Sequence, residues 1–327
     1  MLACTNGSLD IVRLLLANPT IDLHQKDSQG INAVYVSVYY GHLGVLRQLE
    51  DCGGRYEPNF KGTNVLHVAS KKGYATIVKY LLHDSRRQKM PLNSCKRNGM
   101  TSVMLAVERG HLEIVAMLKE AGADMRMTQI GDLYGGVDLL YIAAQNGHET
   151  IVSYLLEKQV IVDGNRYFDR AELTALQVAT KHGHVQVVNE LLRLMPGLVQ
   201  DITKQRTKQK DNLLYLAIKS KSKKLVKLFA HYFVQDGQID DENPVSGLTS
   251  FMLAALSNLQ SIAIFLLGHC GANKDHRNRY QETSLHIAKR KKLSKAVQFL
   301  QKLGCRQDIE NSDGITVNQI IAHEKRQ

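Results

Sequence analysis

The chain has 327 residues, 44% of them hydrophobic, with five Cys, no Trp and a formal net charge of +11. Its mean hydropathy of −0.23 suits a soluble folded protein, and no run approaches the ~18 uninterrupted apolar residues of a membrane-spanning helix. Cys4, Cys52, Cys95, Cys270 and Cys305 are odd in number, widely spaced and never C-x-x-C, which argues for free thiols in a reducing compartment and against a disulfide or zinc framework.

Met1 to Gly7 has neither a basic nor a long apolar segment, so no secretory signal is expected and the cytoplasm is the expected compartment. The segment opens a pattern that runs down the chain. Ala3-Cys4-Thr5-Asn6-Gly7, with Ile11-Val12 after it, predicts a helix end, a tight turn and a second helix. The frame returns at Ser37 to Gly41, at Ala69 to Gly73 with Ile77-Val78, and at Ala106 to Gly110 with Ile114-Val115. It follows again at Ala143 to Gly147 with Ile151-Val152, and at Ala179 to Gly183 with Val187-Val188. Ala217, Ala254 and Ala288 continue it without the Gly, and Ile321 begins a partial copy. These small residues lie 32 to 38 positions apart, the period of a solenoid in which each unit packs only on its neighbours. A small side chain lets successive inner helices approach closely, and Gly suits a left-handed helix end. Five residues before each small residue stand Asn32, Asn64, Thr101, Asp138, Thr174, Asn212, Thr249, Thr283 and Thr316, all good N-caps.

With that register set, Lys61-Gly62-Thr63-Asn64-Val65-Leu66-His67-Val68-Ala69 and Glu282-Thr283-Ser284-Leu285-His286-Ile287-Ala288 resemble the ankyrin repeat signature. Gly99 to Ala106 resembles it too, and Ala121-Gly122-Ala123-Asp124 and Gly271-Ala272-Asn273 resemble the tail of that repeat. The resemblance covers about eight full units plus a partial one at each end. It implies an all-α solenoid of β-turn fingers, inner helices, tight turns and outer helices, over 1–327 as a single array. Repeats are more regular over about 1–192, and more divergent and basic over about 193–327. It also implies a non-catalytic module that binds proteins through its fingers and concave inner-helix face.

The chain departs from the family pattern. No Pro opens any helix, so a softer array is expected. The turn Gly gives way to Lys221, Asn258 and Lys292, of which Lys is the less suited to a left-handed conformation. The long middle spacings predict enlarged loops at His83 to Lys96, Met125 to Gly136, Val160 to Arg170, Leu194 to Lys210 and Val234 to Gly247. Gly131 to Gly136 reads as a finger turn.

No G-x-S-x-G, Walker-type or G-x-G-x-x-G motif occurs, so no catalytic residue and no cofactor is expected. His42, His111, His148 and His184 follow the turn Gly in four different units. Units ~10 Å apart cannot bring them to one metal ion; each is expected to bond its own turn.

Charge is more informative. At the family's presented positions, three per finger and the last two of each inner helix, twelve basic residues face four acidic ones. The candidate partner-binding residues are Tyr39, Tyr40, Phe60, Lys61, Lys71, Lys72, Arg97, Arg109, Tyr134, Arg170, Lys181, Lys208, Lys219, Arg279, Tyr280, Arg290 and Lys291. Aromatic and Arg anchors in a charged surround suit a protein-binding hot spot, and the charge suits an acidic partner. Lys289-Arg290-Lys291-Lys292 also fits a nuclear-import or polyanion patch, leaving nuclear entry open, although no nucleic-acid signature accompanies it. The expected protein is a monomeric array binding an acidic protein. The alternatives are the recruiting region of a larger enzyme, adaptor, channel or effector, and a binder of nucleic acid or acidic lipid.

Overall fold

A computed structural model describes residues 1–84, 90–131, 134–158 and 173–320. The chain divides into two compact units, Met1–Arg170 and Ala171–Gln327.

In the first unit, short helices alternate between inner and outer layers. The inner ones are α1 (Leu2–Thr5), α3 (Ala33–Tyr39), α5 (Val65–Lys72), α7 (Ser102–Glu108) and α9 (Leu139–Asn146). The outer ones are α2 (Leu9–Leu16), α4 (Leu43–Asp51), α6 (Ala75–Lys79), α8 (Leu112–Glu120) and α10 (Glu149–Glu157). A π turn, Tyr80–Asp84, continues α6. Inner helices pack on one another in order, α1 on α3, then α5, α7 and α9. Ser37, Ala69, Ala106 and Ala143 are fully buried at those contacts. A larger side chain there would have to force the helices apart, a change that typically costs about 1–3 kcal/mol. Leu2, Ile11 and Leu14 on the first pair are exposed.

The second unit repeats the scheme. Its inner helices are α11 (Ala175–His182), α13 (Leu213–Lys219), α15 (Ser250–Leu256) and α17 (Ser284–Arg290). Its outer helices are α12 (Val185–Leu194), α14 (Lys223–Gln235), α16 (Gln260–Cys270) and α18 (Ser294–Lys302). Phe229, Phe233 and Phe251 are fully buried in its core; burial of each such side chain is worth about 1.5–3 kcal/mol.

Helix starts follow the expected caps. Asn32, Asn64, Thr101, Asp138, Thr174, Asn212 and Thr249 each accept a hydrogen bond from the backbone N–H three residues on. Gly7, Gly41, Gly73, Gly110, Gly147 and Gly183 all have φ between 69° and 84°. Lys221, Asn258 and Lys292 take the same conformation, with φ of 60°, 59° and 56°.

The turn histidines need correction. His42 Nε2 lies 3.0 Å from the Thr5 carbonyl and His148 Nε2 3.0 Å from that of Glu108. Each bonds the preceding repeat's turn, not its own. The ring lies over that turn's Gly, where a Cβ would have no room. Among the described residues no group of three His, Cys, Asp or Glu side chains could hold a metal ion.

The surplus residues only partly form loops. Met125 to Gly136 contains an antiparallel hairpin, β1 (Gln129–Gly131) and β2 (Tyr134–Val137); the finger turn expected at Gly131 to Gly136 thus carries a strand pair. Leu194 to Lys210 holds a 3-10 turn, Pro196–Asp201, that buries Leu198. Near Val234 the surplus instead lengthens α14 to 13 residues. The expected loop at Val160 to Arg170 lies outside the described residues, as does part of His83 to Lys96. Among the described residues no helix is long and apolar enough to cross a membrane.

Candidate partner-binding groove

Fingers in the first unit are shaped by side chains that accept their own backbone. Asn59 Oδ1 accepts from Lys61 N at 2.9 Å and Thr63 N at 3.0 Å, and Gly62 completes the turn at φ 72°. Adjacent fingers are tied by Phe60 N to Gln29 O and Arg97 N to Lys61 O, each 3.1 Å. This ladder sets Lys61 opposite the ends of the inner helices. There α3 ends at Tyr39 and Tyr40, and α5 at Lys71 and Lys72. Lysines at a helix C-terminus complement its dipole, so their placement also has a local structural reason.

Between fingers and helices lies a groove of about 600 Å³ that brings together Tyr39, Tyr40, Lys61, Lys71 and Lys72. The two tyrosine rings meet edge to face at 5.1 Å, and Lys72 Nζ sits 4.2 Å from the Tyr39 ring centre. Both rings remain over 40% exposed. Two further residues on the lining, Tyr35 and Lys96, were not among the sequence-based candidates. Lys96 is half-buried. Burial, then the neighbouring charge of Lys71, holds its ammonium below the usual lysine range, with Lys61 adding to the effect and Glu108 opposing it. Burial, then Tyr39, pushes the Tyr35 phenol up. Among the described residues no ion pair involves Lys61, Lys71, Lys72 or Lys96. The carboxylate on the lining, Asp27, accepts from Gln29 N and Ile31 N at 2.8 and 2.9 Å.

The other candidates are arranged differently. Phe60 is 60% exposed at a finger tip, against Gly30. Arg97 is exposed on the next finger, and Arg109 lies 3.6 Å from Glu108. Tyr134 begins β2, its side chain outside the described set, and Arg170 lies outside the described residues altogether.

In the second unit Lys181, Lys208 and Lys291 are exposed. Lys219 pairs with the buried Asp211. Arg290 grips both oxygens of Glu282 at 3.0 and 2.8 Å. Arg279 bonds the Pro244 and Val245 carbonyls and stacks 4.9 Å over Tyr280. Lys219, Arg290 and Arg279 thus already have counter-ions or carbonyls of their own.

A signal for Lys96 does exist in the sequence. It occupies the finger position held elsewhere by Asp27, Asn59, Thr207, Asn243, Asn278 and Asn311, whose side-chain oxygens accept backbone N–H groups of their own turns. Lysine has no acceptor.

A family model described as ankyrin repeats matches residues 1–91, 54–129, 128–205 and 214–313. The chain is 28% identical over 193 residues to the transient receptor potential cation channel subfamily A member 1 homolog of Caenorhabditis elegans. That alignment covers 58% of this chain and 15% of the channel. It is 34% identical over 102 residues to Notch-regulated ankyrin repeat-containing protein A of Danio rerio, covering 31% of this chain and 88% of that protein. A match at 30% identity to L-asparaginase of Dirofilaria immitis covers 55% of this chain and 28% of that enzyme. The human ASB11 ankyrin repeat domain superposes with a TM-score of 0.56 at 21% identity, covering 69% of this chain and 95% of that domain.

Proposed function

Because the chain belongs to the ankyrin repeat family, we propose that it is a non-catalytic protein-binding module whose first unit takes an acidic segment of a partner protein. The observation that supports this is the concentration of four lysines without a described counter-ion beside two exposed tyrosines in one groove. Lysine charge steers an acidic partner toward the surface, and exposed aromatic faces supply hot-spot contact once it arrives.

The second unit suggests the test. In two of its repeats the residue before the helix cap is acidic and pairs with a cation eight positions on, Asp211 with Lys219 and Glu282 with Arg290. The position equivalent to Glu282 in the groove is Thr63, eight before Lys71. Thr63→Glu copies the internal pair and occupies Lys71 without removing it. With a photo-crosslinking residue in place of Tyr40, the native partner is recovered first; its association rate with Thr63→Glu is then expected to fall about tenfold. Tyr39→Ala is expected to act mainly through faster dissociation. An unchanged association rate, or no crosslinked protein at all, would defeat this reading.

A second reading, the recruiting region of a larger protein, is favoured by the channel alignment, in which the matched stretch is 15% of the relative's length. Sequencing the complete transcript tests it, and an open reading frame coding for no further domain would remove it.

A further inference from the structure

We propose that Lys61, Lys71 and Lys96 form a subsite for a phosphorylated side chain, phosphoserine or phosphothreonine, on the partner segment that the groove takes. The inference deepens the reading above and rests on it.

Lys96 is out of place as a structural residue. Six described fingers hold Asp, Asn or Thr at this position and use its oxygen to satisfy the turn. Lys96 cannot accept, and a longer bond, Met100 N to Asn98 Oδ1 at 3.4 Å, is the substitute. A finger that forgoes a local hydrogen bond in favour of a half-buried ammonium has been shaped by something other than its own stability.

The three lysines line one groove, where Lys71 and Lys61 both disfavour the charge on Lys96. Like charges held together in a concave site, with no described ion pair to a carboxylate, are relieved by a concentrated external anion. A phosphate monoester brings about −1.5 to −2 charges and three acceptor oxygens to one point at neutral pH. A single carboxylate brings one charge, so Asp or Glu would have to converge from separate residues to match it. In the second unit two of the three equivalent cations, Lys219 and Arg290, carry internal partners, and the third, Lys181, is exposed, whereas Lys61, Lys71 and Lys96 line one groove.

The experiment measures binding of the full chain to three degenerate peptide pools, identical except for a fixed central phosphoserine, serine or glutamate. The phosphoserine pool is expected to bind about tenfold tighter than either other pool, as charge-assisted contacts to a dianion predict. Lys96→Asn restores the finger's usual acceptor, so it should melt at or above the wild-type temperature while losing that preference. Lys71→Met should lose it too, and Lys219→Met should keep it. Equal binding of the phosphoserine and glutamate pools overturns the phosphate subsite and leaves the acidic-segment reading standing. Binding by none of the pools overturns the subsite, and the wider reading falls with it only if the Tyr40 crosslink also recovers nothing. Binding confined to phosphatidylcholine vesicles containing a phosphoinositide overturns the proposal in favour of a lipid headgroup.

Discussion

Gly73 shows how much one missing methyl group can decide. Its φ is +80°, and a Cβ there would lie 2.5 Å from the His111 ring of the next repeat. Gly183 has nearly the same φ, +79°, yet a Cβ on it would meet Ser220 at an ordinary 3.7 Å. Gly183→Ala should therefore lose only the left-handed penalty, about 1 kcal/mol. Gly73→Ala should lose roughly 2–3 kcal/mol, because the histidine must also move. Adding His111→Ala to Gly73→Ala should recover much of the difference, a coupling that a denaturation double-mutant cycle reads directly; simple additivity would refute the ring contact. The pairing explains the departures late in the chain. One repeat on from Lys221 and Asn258, the position held by His111 is occupied by Leu259 and Leu293, so no histidine ring demands glycine. The loss of glycine was legible in sequence. Its reason was not, because the contact joins residues one repeat apart.

At the scale of a helix, the caps set the response to pH. Asn64 and His67 form a reciprocal box in which His67 Nδ1 accepts from Asn64 N at 3.2 Å and its other nitrogen meets the Ser94 carbonyl at 2.9 Å. Burial leads in pushing His67 from its ordinary 6.5 down to about 4. The unfolded chain takes that proton more readily, so α5 loses stability as pH falls from about 6.5 toward 4. The chain contains its own pH-silent version, Thr174 N donating to Gln177 Oε1 at 3.0 Å. His67→Gln should keep the box and flatten stability over that window, measured by urea titration at several pH values; an unchanged slope would show that His67 does not set it. Asp138 has the opposite sign. Burial raises its carboxyl from 3.8 to about 6, so the folded state takes the proton more readily and stability rises as pH falls through that value. Asp138→Asn keeps a cap oxygen for Tyr141 N and should gain about 1 kcal/mol at neutral pH; a loss would show that the charge helps the helix more than burial penalises it. Cap positions were readable from spacing alone. The titrations depend on burial, which spacing does not report, just as it did not reveal that surplus residues near Val234 extend α14 instead of a loop.

Across the whole molecule, the repeat register was legible because every repeat is built from contacts local in the chain. The charged face was legible only as composition. Whether the inner-helix cation at Lys71, Lys219 or Arg290 is paired depends on whether an acid stands eight residues earlier, at Asp211 and Glu282 but not at Thr63. The second unit also concentrates backbone strain. Lys210, Lys221, Asn258, Gln281 and Lys292 all have positive φ, and all lie in Ala171–Gln327; among the described residues the first unit uses only Gly in that conformation. Each such residue costs on the order of 1 kcal/mol, less at Asn258, and the three described ion pairs with one exposed partner, Arg193–Glu190, Lys219–Asp211 and Arg290–Glu282, offset only part of this. In a nearest-neighbour stack, local deficits need not be shared along the chain. Amide exchange in rising denaturant should therefore open Asp211–Leu300 before Val65–Leu155. Lys221→Gly with Lys292→Gly, which relieves two of the five positions without touching the core, should raise protection across the second unit by about 1–2 kcal/mol. Equal protection of both segments in the wild-type chain, or weaker protection after the glycine substitutions, would show that these lysines are held at no cost and that the strain lies elsewhere.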